Sequence, residues 1–501
     1  MIEIKNKLQS FRNEVKMSIQ FNTKEELINE VKTVIGRRVG DYDVDEVLKN
    51  PNSKGNIGHV MEQGFFGYDI NSNQAPDFEN LGVELKVTGY KWVRNGKQVS
   101  AKERLVITMI DFFKDINIDF FDSHLYNKIS NMLLVLYEYE NDKNPYEFLL
   151  TNYYMYEYEN IPEKDKMIIE NDWKTIIDKI SAGKAHELSE GDTFYLGACP
   201  KGANKNSVTS QPNSDILAMK RAYSLKTTYM TELFRTQIFK KVESKEAFVK
   251  SINDLREKPL GDIIYDTFKP YVGKTLSEID SKLDKPIRRE GNKQYIRSYV
   301  SRMMSVQQEY MDSLEEFDKA NIQIKTIRIT KKGNLKESMS FPAFDFVEVA
   351  NEEWETSELR EMFSSTKFLF IVFKEVDDTN REYEFLGVKL WNMPVSDIEN
   401  QVKMVWEKTN SILNGELVLN IEKNKVMNNF TNISDDLIAH IRPHAKDRSV
   451  TNPLPDSTKI IIESNDKSVD LNYLEGNRFT RQCFWLNSNY VLSILRKADL
   501  T

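Results

Sequence analysis

The stretch Pro76-Asp77-Phe78-Glu79-Asn80-Leu81-Gly82-Val83-Glu84-Leu85-Lys86 decides how this chain is read. Its end, Val83 to Thr88, alternates as a strand does, which sets Glu84 and Lys86 on one face. Asp77 precedes the turn-forming Asn80-Leu81-Gly82, and a turn there returns its carboxylate to the side of Glu84. Two carboxylates and the Leu85 carbonyl make an all-oxygen donor set, suited to a hard cation such as Mg²⁺ rather than to zinc.

Lys86 adds an ammonium group that can orient a water or steady a charged phosphate. A divalent cation in such a site acidifies its bound water and offsets the charge of a pentavalent phosphate, the chemistry of metal-assisted phosphodiester hydrolysis. The spacing is the PD-(D/E)xK signature found in many nucleases. A blander reading of the same residues is an amphipathic edge strand with solvated charges. A chain with 77 acids and 69 bases contains such spacings by chance.

At 501 residues the chain has room for two or three domains, each with its own core. A hydrophobic content of 40% with 29% charged residues is that of an ordinary globular protein. No apolar run reaches the length of a membrane span, and Met1-Ile2-Glu3-Ile4-Lys5 lacks a signal-peptide core. Two cysteines, Cys199 and Cys483, are too few for a disulfide framework or a zinc site, which points to a reducing, cytoplasmic setting. None of the five histidines is spaced as a metal ligand.

The net charge of −8 argues against a uniformly basic nucleic-acid binder, so what matters is whether positive charge gathers locally. Residues 194–241 carry eight Lys/Arg, at 201, 205, 220, 221, 226, 235, 240 and 241, against only Asp215 and Glu232. This is either a nucleic-acid-facing surface or a solvated helix face.

Working outward, Thr23-Lys24-Glu25-Glu26 opens a capped helix with Leu27, Ile28, Val31 and Ile35 on its apolar side. The segment Gly55 to Gly67 reads as helical and carries one acid, Glu62. Val83 to Val93 and Gln98 to Ile110 flank Asn95-Gly96, a hairpin signal, so the strand bearing Glu84 is expected to pair with the strand from Glu103. Met132 to Tyr137 reads as an apolar strand and residues 163–183 as a helix. The aromatic run Tyr153-Tyr154-Met155-Tyr156 suits a packed strand better than a base-stacking platform. Ser244 to Lys258 reads as a charged helix leading to a second domain.

The second half repeats the first. Glu315 to Lys325 aligns without gaps on Pro76 to Lys86, and Lys336-Glu337 aligns on Lys102-Glu103. Ser357-Glu358-Leu359 aligns on Ser123-His124-Leu125, and Arg442-Pro443-His444 on Cys199-Pro200-Lys201. Phe484 to Tyr490 aligns on Tyr223 to Tyr229. The copies differ at the chemical positions: Glu84 becomes Gln323, Asp77 becomes Glu316 and Lys128 becomes Met362. One copy is expected to be catalytic and the other to bind without its own active centre. The expected domains are 1–240, catalytic, and 241–501, a degenerate DNA-binding or effector domain.

With these residues assembled, the N-terminal half resembles MutH, the mismatch-repair nicking endonuclease acting at GATC. The whole chain looks like the two-domain GATC-cutting restriction endonucleases of the Sau-three-A type. The resemblance is carried by Asp77…Glu84-Leu85-Lys86, Lys102-Glu103-Arg104-Leu105-Val106, Gly183-Lys184-Ala185-His186-Glu187-Leu188-Ser189-Glu190-Gly191 and Lys201-Gly202-Ala203-Asn204. In the second half Lys336 to Phe341, Ala350 to Trp354 and Trp391 to Pro394 add to it.

The resemblance implies an α/β fold of two tandem MutH-like (PD-(D/E)xK restriction-endonuclease-like) domains, each a mixed sheet flanked by helices. It implies a type II restriction endonuclease making Mg²⁺-dependent double-strand cuts before the G of 5′-GATC-3′. Asp77 and Glu84 fall on the metal-binding acids, with the Leu85 carbonyl beside them, and Lys86 falls on the catalytic lysine. Glu62 falls on a supporting helical acid and Lys128 on a second lysine near the centre. Pro200 and Lys201 fall on the loop that reads GATC in the major groove, where Lys201 has the alternative of being a solvated loop lysine. Cys199 stands where MutH has an arginine, so base recognition transfers less completely than catalysis. Lys205 and Lys226 are expected to contact DNA from the basic stretch, and Arg442 and His444 from the second half. A chain with one centre is expected to dimerise transiently on DNA. A MutH-like repair nickase and a non-catalytic DNA-binding regulator are the competing functions; the second copy argues against the first, and intact Asp77, Glu84 and Lys86 argue against the second.

Overall fold

Helix α1, Lys24–Lys32, forms as the capping pattern predicts: the Thr23 hydroxyl accepts from Glu26 N, and Leu27 and Val31 are buried. The computed structural model describes residues 20–44, 46–49, 56–68, 75–93, 96–140, 143–202, 207–241, 245–282, 285–377, 381–422, 425–464 and 471–501. The chain divides into two compact units, residues 1–263 with 313–321, and residues 264–312 with 322–501.

In the first unit the strands are β1 (Glu84–Val93), β2 (Gln98–Ala101), β3 (Leu105–Met109), β4 (Asn131–Glu138), β5 (Leu149–Glu157), β6 (Leu196–Pro200), β7 (Val208–Gln211), β8 (Ser214–Met219) and β9 (Arg221–Leu225). The main sheet runs β2-β1-β4-β5, with β1 parallel to β4 and the other pairs antiparallel. Between β1 and β4 the crossover passes through β3 and the short helix α2 (His124–Ile129), whose N-cap is Ser123. Residues 132–136 of β4 are wholly buried, as suits a central strand covered on both faces. One face of the sheet, with Val83, Leu85, Leu133 and Val135, packs on Leu27 and Val31 of α1 and on Val60, Met61 and Phe66. The aromatic strand β5 is part of this packed sheet, with Tyr156 buried.

The hairpin signal is correct in place but not in partner. β1 pairs with Gln98–Ala101 (Tyr90 opposite Ala101, Val93 opposite Gln98), whereas the strand after Glu103 leaves to join a second sheet, β3-β9-β6. Lys102 donates the last main-chain bond, to Gly89, and Arg104 then pairs with Glu190 near the start of β6. A short hairpin strand followed by two charged residues thus ends the pairing at Ala101. The expected helix over 244–258 is confined to Ile252–Glu257, because the main-chain N–H groups of Phe248 and Val249 are taken by the Glu316 carboxylate. Helix α3 (Glu163–Ser181) covers the span expected of it, burying Ile168, Ile169, Trp173 and Ile176.

The second unit repeats this plan. Strand Ile322–Ile329 runs parallel to Lys367–Asp377, which pairs antiparallel with Glu382–Trp391, as β1, β4 and β5 do. A small sheet joins Met339–Ala343, Gln482–Leu486 and Ala439–Pro443 in the order of β3-β9-β6. Its register matches as well: Leu225 faces Leu105 and Leu196, and Leu486 faces Met339 and Ala439. Gly82 (φ +60°) and Asn321 (φ +53°) hold the same left-handed position before the first strand of each copy.

A π-turn over Val60–Phe65, closed by Phe66 N to Met61 O, carries Glu62. Gly64 lies in it with its α-carbon against the Tyr42 carbonyl; a Cβ there would stand 1.9 Å from that oxygen. Gly64→Ala is expected to cost about 2 kcal/mol or more by overpacking against main chain, and to slow DNA cleavage by moving the Glu62 turn. Urea unfolding and cleavage rate check both effects; a variant with wild-type stability would mean that the Tyr42 segment yields freely.

Candidate active site

Asp77 reaches the sheet through a closed loop. Phe78 and Val83 exchange main-chain hydrogen bonds around a tight turn at Glu79–Leu81, and Gly82 supplies the left-handed residue. The chain therefore doubles back, and Asp77 Oδ2 accepts from Leu85 N at 2.9 Å. Val83 and Leu85 point into the core, so Glu84 and Lys86 point to the other face. There Lys86 Nζ lies 2.7 Å from Glu84 Oε1. Lys128, from α2, donates to both Glu84 oxygens at 3.0 Å. The folded chain thus gathers Asp77 from a loop, Glu84 and Lys86 from a strand and Lys128 from a helix.

Glu84 is only 2% exposed, and a carboxylate so buried stays charged only where cations and donors surround it. Two ammonium groups meet that need. Lys86 is the more open of the two, its side chain 20% exposed against 10% for Lys128. Asp77 has no lysine of its own. Burial first, then the neighbouring Glu84 and to a smaller extent Glu62, raise its carboxyl, and with the Leu85 N–H and Lys86 only partly opposing them it is pushed up to about 6. Asp77 and Glu84 repel each other across a site that a cation would relieve, and their oxygens are hard donors, so the residues present fit a divalent metal such as Mg²⁺. Among the described residues no group of three or more His, Cys, Asp and Glu side chains is placed to hold a metal; the set here is two carboxylates with a main-chain carbonyl.

The basic stretch divides on folding. Pro200 and Lys201 are exposed at the end of β6, and Lys220, Lys240 and Lys241 are exposed too. Lys226, expected against DNA, is instead buried: its Nζ donates to Thr193 O, and it lies beside the buried Asp172. Its long side chain turns inward because Asp172, on the apolar side of α3, needs a counter-charge. Arg221 is likewise buried, donating to Ala198 O. Lys205 lies outside the described residues. Cys199, where an arginine was expected from the MutH pattern, is a buried thiol whose pKa is raised by burial.

Asp172 is a positioning residue that the sequence reading missed. It accepts from the N–H groups of Phe194, Tyr195 and Leu196 at 2.8, 2.6 and 2.9 Å, fixing the start of the strand that ends in Pro200-Lys201. Its one signal was an acid among the buried Ile168, Ile169, Trp173 and Ile176.

In the second unit, Arg442 and His444 are exposed at the end of Ala439–Pro443, in the register positions of Cys199 and Lys201. Arg442 stacks on Trp485 at 5.8 Å, and His444 Nδ1 is 3.1 Å from the Cys483 sulfur. Lys325, aligned with Lys86, lies over the Phe341 ring at 5.4 Å, and burial lowers its pKa. Met362 packs against the apolar core. In the first unit, Glu316 is spent on the N–H groups of Phe248 and Val249. No second carboxylate pair is assembled from the residues aligned with Asp77 and Glu84.

A strand-borne acid and lysine, an acid returned by a tight loop and a second lysine, on a doubled mixed-sheet fold, define a MutH-like nuclease. A family model described as "DNA mismatch repair enzyme MutH" matches residues 66–172 and again 308–408. The type II restriction enzyme Sau3AI of Staphylococcus aureus is 35% identical over 489 residues, covering 94% of this chain and 97% of that one. The DNA mismatch repair protein MutH of Vibrio parahaemolyticus is 28% identical over 196 residues, 38% of this chain and 80% of its own. That of Pasteurella multocida is 22% identical over 191 residues. The chain belongs to the Sau3AI family of type II restriction enzymes: it is a site-specific deoxyribonuclease, and its substrate is DNA. Among the described residues no helix is long and apolar enough to cross a membrane.

The raised carboxyl of Asp77 has a stability consequence. In the metal-free protein the stabilisation that comes with a protonated Asp77 is complete below its ordinary value of 3.8 and is lost as pH rises through about 6. Asp77→Asn, which keeps an oxygen for Leu85 N–H, is therefore expected to stabilise the metal-free protein at pH 7.5 by on the order of 2 kcal/mol. The gain should fade towards pH 4. Thermal unfolding in chelator across this range reads it, and a variant less stable than wild type at pH 7.5 would contradict the assignment.

Proposed function

We propose that this enzyme makes Mg²⁺-dependent double-strand cuts at 5′-GATC-3′, before the G, from a single centre in the first domain (1–240). The observation carrying this reading is Glu84, buried yet held by Lys86 and Lys128 beside the strained carboxyl of Asp77. Asp77, Glu84 and the Leu85 carbonyl would hold the metal, which when bound supplies an acidified water and offsets phosphate charge. Lys86, the more open lysine, orients the attacking water and meets the developing phosphate charge. Lys128 holds the Glu84 carboxylate in place, and Glu62 adds negative charge that favours a cation. Coverage of 94% of the chain by a type II restriction enzyme, against 38% by the MutH of Vibrio parahaemolyticus, favours double-strand cutting over repair nicking.

Base reading is assigned to Lys201, exposed at the rim of the small sheet, with Pro200 shaping its loop. A lysine there can donate to guanine O6 and N7 in the major groove. Arg442 and His444, exposed at the same register in the second domain (241–501), support that domain as a DNA-binding effector without a centre of its own. Since one centre cuts one strand at a time, two chains meet transiently on the duplex. Sedimentation with a GATC duplex and Ca²⁺ is expected to show two chains per duplex; concerted cutting with one chain bound would refute the pairing.

Glu84→Gln, which copies Gln323, is expected to lower the cleavage rate by about 10³-fold or more while DNA affinity stays near wild type. Full cutting by that variant would remove Glu84 from the centre. Lys201→Ala is expected to lose about 1–3 kcal/mol of discrimination between GATC and scrambled duplex. Competition binding at fixed salt measures it, and an equal loss on both duplexes would make Lys201 a phosphate contact instead.

A further inference from the structure

Lys128 belongs to a helix of six residues, too short to hold its own shape, so its position depends on what anchors its ends. The anchor at the first turn is a buried polar cluster that neither the motif nor the relatives' names point to. Asp115, 0% exposed, accepts from Tyr223 Oη at 3.0 Å and from Asp111 N at 3.1 Å, and its other oxygen lies 3.3 Å from His124 Nδ1. His124 Nε2 is 2.8 Å from the Met109 carbonyl, which can only accept, so that nitrogen carries its proton. His124 stands four residues before Lys128, on the same helix face.

The second unit is an internal control for what this cluster does. Residues 102–128 align without gaps on 336–362, and much of the local structure is shared, although the tight turn at Asp115–Asn117 is replaced by the last turn of a helix, Phe346–Asn351. Asp111 and Asp345 each accept from the N–H groups two and three residues on, and Ser123 and Ser357 each cap the following helix. Phe112 and Phe346, Phe120 and Trp354, Leu125 and Leu359, and Ile129 and Phe363 are buried pairs. The polar cluster is gone. Asp115 becomes buried Val349, Tyr223 becomes buried Phe484, His124 becomes exposed Glu358 and Lys128 becomes Met362. The serine cap and the helix after it form without the cluster, so that helix does not require it to fold.

We infer that Asp115, His124 and Tyr223 are positioning residues for cleavage: they pin the start of α2 and so hold Lys128 on Glu84. The inference rests on the reading of Glu84 and Lys128 as part of the centre. Tyr223→Phe is the mildest variant, since it installs the second copy's residue and removes one hydroxyl, and His124→Gln is the second probe. Single-turnover cleavage of a GATC duplex with Mg²⁺ is measured for the full chain, alone and in a Lys128→Met background, with duplex affinity in Ca²⁺ alongside. Each single variant is expected to slow cleavage by about 10- to 100-fold, the scale of a displaced reacting group, with little change in affinity. In the Lys128→Met background neither is expected to slow it further, because the path they act through is already lost. Equal losses in both backgrounds, or single variants cutting at the wild-type rate, would overturn the inference. Wild-type cutting by Lys128→Met itself would instead bring down the site assignment, and this inference with it.

Discussion

The first unit is built around one carboxylate, that of Glu84, placed where water scarcely reaches. An isolated charge so buried would take up a proton or move outward. Glu84 is not isolated: two ammonium groups from different parts of the chain reach it, one two residues along the same strand and one across the parallel crossover. The crossover is therefore more than a connection. β1 and β4 must lie parallel for α2, which leads into β4, to present Lys128 over β1.

Asp77 shows the other side of the same electrostatics. Its loop closes through main-chain bonds between Phe78 and Val83, which hold an acid beside Glu84 against their mutual repulsion. Such opposition between local favourability and packing is common at functional positions, where stability is given up for chemistry. The copy aligned on this loop resolved the conflict differently. Glu316 caps two main-chain N–H groups, Gln323 carries no charge, and Lys325 rests on an aromatic ring.

Sequence periodicity and turn chemistry are sufficient for much of this. The Thr23 cap, the 83–88 alternation and the Asn80-Leu81-Gly82 turn each depend on contacts within a few residues, and each forms as read. The repeat was legible because alignment compares residue types at equal spacing and needs no geometry. What sequence could not carry is the sign of a side chain's exposure. Lys226 reads as a surface cation because it lies in a stretch where basic residues outnumber acids, yet Asp172, fifty-four residues earlier, draws it inside. Strand partners failed for the same reason: a hairpin signal specifies that the chain turns, and leaves open how far pairing continues after Ala101.

Duplication also separates two kinds of constraint that a single domain mixes together. Caps, aromatic core positions and sheet register persist in both copies, whose sequences otherwise differ widely, because each copy must still fold. Paired carboxylates and their lysines persist in one. A polar group buried in the first copy and replaced by an apolar one in the second, with the surrounding backbone unchanged in plan, is a group the fold can do without. Burial of a polar cluster costs stability unless every partner is satisfied, so its presence in the copy that bears Glu84 and Lys128 calls for a reason outside folding. By that standard Asp115, His124 and Tyr223 belong with Lys128, whereas Asp111 and Ser123, kept in both copies, belong with the scaffold.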